Sequence, residues 1–146
     1  MIILMISIKN LLLIAIVTII AVSCARIFTK GGNGNKPNVL AAYANMGVDE
    51  FQNFIADANV QLLDVRTPDE FSEGHIAGSW LVDVNDSTFV EQAEALLDKQ
   101  RPVAVYCRSG RRSARAASLL ANKGYNVTNL DGGVLAWQDA GKVLVK

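Results

Sequence analysis

From about Val39 to the end of the chain, short apolar runs rich in β-branched residues alternate with amphipathic segments. A run of four to six apolar residues without polar alternation has to be covered on both faces, and helices between such runs supply the cover. The pattern therefore predicts an α/β fold, a parallel sheet with helices on both sides. Val60 to Val65 (VQLLDV), Trp80 to Val84, Val103 to Tyr106 (VAVY) and Asn126 to Leu130 are the expected strands. Asp49 to Ala58 is an expected helix with Phe51, Phe54 and Ile55 on one face, and Thr88 to Lys99 another with Phe89, Ala93, Leu96 and Leu97 inward. Ser113 to Asn122 should turn Ala114, Ala117 and Leu120 or Leu119 to the core and stop at Gly124, and Val134 to Ala140 is the last helix. A further short helix is punctuated sharply. Thr67 reads as its N-cap, Pro68 as its first residue and Glu70 as the third member of a capping box, with an end near Gly74.

The first two dozen residues stand apart from that pattern. Leu11 to Val22 is an uncharged apolar stretch preceded by Lys9 and followed by Ser23-Cys24, the layout of an export signal. It is short for a membrane span, which needs about 20 residues. Residues 1–23 are therefore expected to be an export signal, either a cleaved signal peptide or an uncleaved signal anchor. Thr29 to Pro37, with three glycines, two asparagines and a proline, reads as part of a flexible tether over residues 24–37, which leaves 38–146 as the folded domain. Removing the signal deletes one charge, Lys9, from a chain whose formal net charge is zero, so the domain stays near neutral and nucleic acid is excluded as a partner. The two cysteines, Cys24 and Cys107, would form a disulfide in an oxidising compartment unless Cys24 is acylated, in which case Cys107 is a lone, reactive thiol.

Cys107 ends an apolar strand and opens the stretch C-R-S-G-R-R-S, Cys107 to Ser113. A cysteine there faces the crevice in which open α/β sheets bind ligands, and the backbone amides of the following loop and helix start form an anion cradle. Positive potential from the helix end and from Arg108, Arg111 and Arg112 should lower the thiol pKa from its ordinary value of about 8.5. Ser109 and Gly110 are expected to shape the loop, Gly110 through a φ open to glycine, and Ser113 to cap the helix. Asp64 and Arg66 end a strand and read as loop-holding charges, with Arg66 paired to Glu70. Trp80 and Trp137 read as core or rim aromatics. No group of residues has metal-ligand spacing, and no cofactor is expected.

Four stretches together resemble the rhodanese-like family: L-L-D-V-R-T-P-D-E-F at Leu62 to Phe71, G-H-I-A-G-S at Gly74 to Ser79, Y-C-R-S-G-R-R-S at Tyr106 to Ser113, and L-D-G-G-V-L-A-W at Leu130 to Trp137. The resemblance implies a five-stranded, mostly parallel sheet with helices on both faces, and a sulfurtransferase whose cysteine alternates between thiol and persulfide. Cys107 would be the catalytic residue, and Arg108, Ser109, Gly110, Arg111, Arg112 and Ser113 the loop that binds substrate and persulfide. Thiosulfate or a persulfide would be the donor, and cyanide or a thiol the acceptor. His75, the only histidine, could suggest a Cys/His pair, but its G-H-I-A-G setting looks like a structural turn in the family. Ala21-Val22-Ser23-Cys24 resembles a bacterial lipobox. That implies a signal peptide over residues 1–23 cleaved before Cys24, acylation of Cys24, a membrane-anchored lipoprotein and a periplasmic location.

Two other functions share this architecture. Phosphatases and arsenate reductases of the same fold carry a Cys-x5-Arg loop, whereas Cys107 to Arg112 is Cys-x4-Arg and encloses a smaller cradle. A non-enzymatic persulfide carrier or binding module would differ from the enzyme only in its acceptor.

Overall fold

The computed structural model describes residues 42–146. The signal segment, Cys24 and the tether lie outside the described residues. The sheet has five strands: β1 (Ala44–Met46), β2 (Gln61–Asp64), β3 (Trp80–Leu81), β4 (Val103–Tyr106) and β5 (Val127–Leu130). Their order is β1-β5-β4-β2-β3, and every neighbouring pair is parallel. The helices are α1 (Val48–Ile55), α2 (Pro68–Glu73), α3 (Phe89–Leu96), α4 (Arg111–Asn122) and α5 (Gly133–Asp139).

Two apolar clusters divide between the faces of the sheet by the two-residue period of its strands. Val103, Val105 and Cys107 pack with Phe89 and Ala93 of α3 and Ala116, Ala117 and Leu120 of α4. Ala104 and Tyr106, the alternate residues of the same strand, pack with Phe51 of α1 and Val134 and Trp137 of α5. At about 25 cal/mol per Å² of apolar surface removed from water, these double-sided strands are the main source of stability. A parallel strand buried on both faces has no polar side, which is why β4 reads V-A-V-Y without alternation.

Several expected boundaries move. The strand expected at Trp80 to Val84 is hydrogen-bonded as a strand only over Trp80–Leu81. β1 had no signal of its own: Ala-Asn-Met has no β-branched residue, and its burial is slight because it is an edge strand. Helix α4 begins at Arg111 rather than Ser113, with Gly110 as its N-cap at φ +86°. Ser113 is therefore inside the first turn and does not cap. At the end of α3, Leu97 just past its last residue is buried but Leu96 is 41% exposed, and in α4 Leu120 rather than Leu119 enters the core. The capping box of α2 is present as expected. Glu70 N donates to Thr67 Oγ1 at 3.3 Å, and Thr67 N donates to Glu70 Oε2 at 3.2 Å.

Candidate active site at the end of strand β4

The strand period that buries Val103 and Val105 carries Cys107 onto the same face, where it is 1% exposed beneath the first turn of α4. Ser113 Oγ, fully buried, donates to Cys107 Sγ at 3.3 Å and lies 3.1 Å from the carbonyl oxygen of Gly110. A hydroxyl has one proton, so it serves the sulfur when that is a thiolate and the carbonyl when it is not. Burial pushes the Cys107 thiol up, but the Ser113 hydroxyl and the backbone amides of Ser113, Ser109 and Gly110 outweigh it and hold the thiol below its ordinary value. The leading stabilisers of the anion are thus uncharged dipoles fixed by the fold.

Two close approaches explain why this loop needs its glycines. Gly110 is left-handed, and a Cβ on it would sit 3.1 Å from Gly132 N. A Cβ on Gly133, at φ +59°, would lie 2.4 Å from the carbonyl oxygen of Cys107. That space lets Val134 N donate to Cys107 O at 2.9 Å and Leu135 N to Arg108 O at 3.1 Å. The start of α5 therefore straps the Cys107 loop through its backbone, and the glycines of the L-D-G-G-V stretch make that approach possible.

The arginines are arranged differently from the sequence reading. Arg112 is held by Glu70 in a two-pronged pair, Nη1 to Oε2 at 2.7 Å and Nη2 to Oε1 at 2.6 Å. This is the partner the sequence reading had given to Arg66. Arg112 lowers the Glu70 carboxyl to about 2 through these hydrogen bonds, opposed by partial burial and assisted by the amide of Thr67. Arg66 is instead bound to Asp64, with Nη2 to Oδ2 at 2.6 Å and Nε contacting both carboxylate oxygens. Its Nη2 also donates to Gly74 O at 2.8 Å, and its guanidinium lies 5.7 Å from the Tyr106 ring centre. Arg108 and Arg111 are exposed and form no ion pair among the described residues.

Two cavities of about 360 Å³ flank the loop. One is basic, lined by Ser109, Arg111, Arg112 and Arg115. The other is mixed: charged Arg66, Arg108, Glu70 and Glu73 and polar Gln138 line it together with apolar Val134, Leu135 and Leu144. Arg115 and Glu73 were not singled out in the sequence. Arg115 had a signal, since four residues after Arg111 it shares that residue's helix face. Glu70 had already a sufficient local explanation as a capping residue, which concealed its second partner.

His75 plays a structural part. Its ring stacks on Phe71 at 3.8 Å, its Nδ1 lies 3.2 Å from Phe71 O, and its backbone pairs with Val145. Trp137 is a core residue whose Nε1 donates to Val143 O at 3.2 Å, and Trp80 is partly exposed. Among the described residues, no three His, Cys, Asp or Glu side chains are placed to hold a metal ion.

Residues 47–140 match the rhodanese-like domain. The chain is 33% identical over 103 residues to thiosulfate sulfurtransferase GlpE of Shewanella oneidensis, covering 69% of this chain and 98% of that protein. It is 40% identical over 91 residues to thiosulfate sulfurtransferase 18 of Arabidopsis thaliana, covering 54% of this chain and 67% of that one. A rhodanese-related protein from Thermoplasma volcanium superposes with a TM-score of 0.63 at 28% identity, over 70% of this chain and 98% of that one. A strapped loop at the end of the central strand, a buried cysteine held by amides, and relatives named as sulfurtransferases over most of the domain agree with one another: the chain belongs to the rhodanese-like family.

Proposed function

We propose that the protein is a sulfurtransferase that moves a sulfane sulfur from thiosulfate, or from a persulfide donor, to a thiophilic acceptor through a persulfide on Cys107. The observation that carries this reading is the buried Cys107 sulfur, facing one hydroxyl and three backbone amides that all favour its anion. In the first step the Cys107 thiolate attacks the outer sulfur of thiosulfate, the bond between the two donor sulfurs breaks, and sulfite leaves with the electron pair. The outer sulfur of the persulfide then carries the negative charge, and the amides and hydroxyl that held the thiolate are available to it. In the second step a thiophile attacks that outer sulfur and Cys107 departs as thiolate. No external oxidant or reductant is needed.

The basic cavity supports a dianionic donor, because Arg111 carries a free charge and Arg112 a partly committed one. Four residues separate Cys107 from Arg112, and Ser113, turned onto the sulfur, occupies the position where a five-residue phosphate loop would place its arginine. That favours sulfur transfer over phosphate or arsenate chemistry.

Incubation with thiosulfate should add one sulfur to the intact mass of the protein, and cyanide should then be converted to thiocyanate. Cys107→Ser should abolish both while leaving the circular dichroism unchanged. Thiocyanate formation by the serine variant would remove Cys107 from its role. A persulfide that forms but passes to no small thiophile would make the domain a carrier instead.

The N-terminal reading belongs to the same proposal. Export followed by acylation of Cys24 would anchor the domain to a bacterial membrane on its periplasmic side, since several acyl chains hold a protein stably where one does not. Palmitate labelling that survives Cys24→Ala would overturn it.

A further inference from the structure

We infer that Arg115, on the second turn of α4, is the residue that captures the dianionic sulfur donor, because it presents an uncompensated and already oriented guanidinium in the basic cavity. This rests on the sulfurtransferase reading and adds to it the side chain that sets the affinity for the donor.

The arginines that line this cavity are held in different ways. Arg112 gives both terminal nitrogens to the Glu70 carboxylate, so its charge is offset where it stands. Arg111 is exposed and has no ion pair among the described residues, so a ligand has to immobilise it against its side-chain entropy. Arg115 donates from Nη2 to the carbonyl oxygen of Val84, and the same nitrogen lies 3.5 Å from Asn85 Oδ1. Both partners are neutral, so they orient the side chain without cancelling its charge. The support behind them is firm: Val82 and Val84 are buried, and their amides donate to Asp64 O and Val65 O at 3.0 and 3.3 Å. The two acids of that turn are engaged locally. Asp83 accepts from Asn85 N, and Asp86 from Thr88 N, Thr88 Oγ1 and Gln92 Nε2, and neither forms an ion pair with Arg115. A cation fixed by neutral groups on a rigid element is preorganised for an anion.

The cavity and the reacting sulfur share one face of the sheet. Cys107 and Val84 belong to the same apolar cluster, on the face that α3 and α4 cover. Ser109 lines the cavity and also turns its backbone amide to the Cys107 sulfur. Arg112 marks the same proximity, since its pKa is raised by Glu70 first and also by the charge of Cys107. The work is divided between the two kinds of group. Amides and a hydroxyl hold the thiolate, which leaves the cation for the donor. Arg115 takes no part in the exchange of bonds; it brings the dianion to the loop where that exchange occurs.

The test follows thiocyanate formation against thiosulfate concentration, at low and at high salt, for the whole protein and its Arg115→Gln, Arg115→Lys and Arg111→Gln variants. An exposed pair of single charges changes binding by about two- to fivefold, and the donor carries two charges, so Arg115→Gln should raise the KM by about three- to tenfold at low salt. The rise should shrink at high salt, with kcat altered by less than about twofold. Arg115→Lys keeps the charge without the fork and should recover part of the KM, and Arg111→Gln should raise it less than Arg115→Gln does. Sulfate, a dianion with no sulfur to give, should shield Cys107 from iodoacetamide at low salt, and the half-protecting concentration should rise in Arg115→Gln by the same factor as the KM. An unchanged KM in Arg115→Gln, or a larger rise in Arg111→Gln, would overturn the assignment and leave the sulfurtransferase reading standing. So would a fall in kcat with a KM that ignores salt, because Arg115 would then be a strut for the turn at Val84. Absence of any added sulfur after thiosulfate would overturn the sulfurtransferase reading itself, while protection by sulfate, which needs no turnover, still decides whether Arg115 holds a dianion.

Discussion

In the buried and in the part-exposed surroundings of the Cys107 loop, the same residue types do different work. In the interior, Asp64 and Arg66 form a pair whose side chains are 0% and 5% exposed, and Ser113 and Cys107 are equally enclosed. On the rim, Glu70 and Arg112 form an equally short pair at 25% and 27% exposure, and Arg108 and Arg111 stand in solvent. A buried charge cannot be left without its partner except at a cost of several kcal/mol, so the buried arginine is scaffold. A half-exposed arginine exchanges its partner with water or substrate at little cost, so the part-exposed ones are available to ligands. Depth, more than residue identity, sets which arginines can serve chemistry.

The largest effect expected from this contrast is on stability. Asp64→Asn leaves Arg66 charged, buried and deprived of its carboxylate, and should destabilise the protein by about 3–5 kcal/mol in urea unfolding. A loss below about 1 kcal/mol would mean that the buried pair is no more structural than one on a surface.

Ser113→Ala should come next. It deletes the hydroxyl that serves the thiolate, and a hydrogen bond to a charged group is worth about 1.5–3 kcal/mol, so turnover of thiosulfate at neutral pH should fall by about ten- to hundredfold. The pH at which Cys107 becomes open to iodoacetamide should move up, because a contribution that lowers the thiol pKa has been removed while burial, which raises it, remains. Ser113→Thr, which keeps a hydroxyl, should restore part of both. An unchanged alkylation profile in Ser113→Ala would place the stabilisation of the anion wholly in the backbone amides.

Glu70→Gln should give the smallest effect, with opposite signs in stability and binding. Glu70 has a folded pKa of about 2, below its ordinary 4.5, so its contribution is complete above about pH 4.5 and is lost as the pH falls toward 2. At neutral pH the variant should lose about 1–2 kcal/mol, a figure discounted for the exposure of the pair, and it should lack this share of the acid sensitivity. Freed from its carboxylate, Arg112 should then lower the KM for thiosulfate by about two- to fivefold at low salt, an advantage that disappears at high salt. A KM that rises would show that Glu70 orients Arg112 for the donor instead of competing with it.

What the sequence determined by itself is what neighbouring residues settle among themselves. The V-A-V-Y run, the capping box at Thr67 to Glu70, the glycine before Arg111 and the four-residue interval from Cys107 to Arg112 are local signals, and each appears in the structure where it was read. The exposed strand β1 escaped because an edge strand of three residues takes its conformation from pairing with β5, with no pattern of its own. Tertiary structure alone decided the partners of the charges. Arg112 meets Glu70 from 42 residues away, and only the fold, which brings the two side chains within 2.6 Å, selects that carboxylate from the others in the chain. The inward turn of Ser113 was hidden for the same reason: a serine near a helix start satisfies the local rule for a cap equally well, and the thiol beneath it belongs to another element. Local rules follow from sterics and backbone hydrogen bonding within a few residues; long-range pairing among many similar charges is degenerate in sequence until the fold fixes the distances.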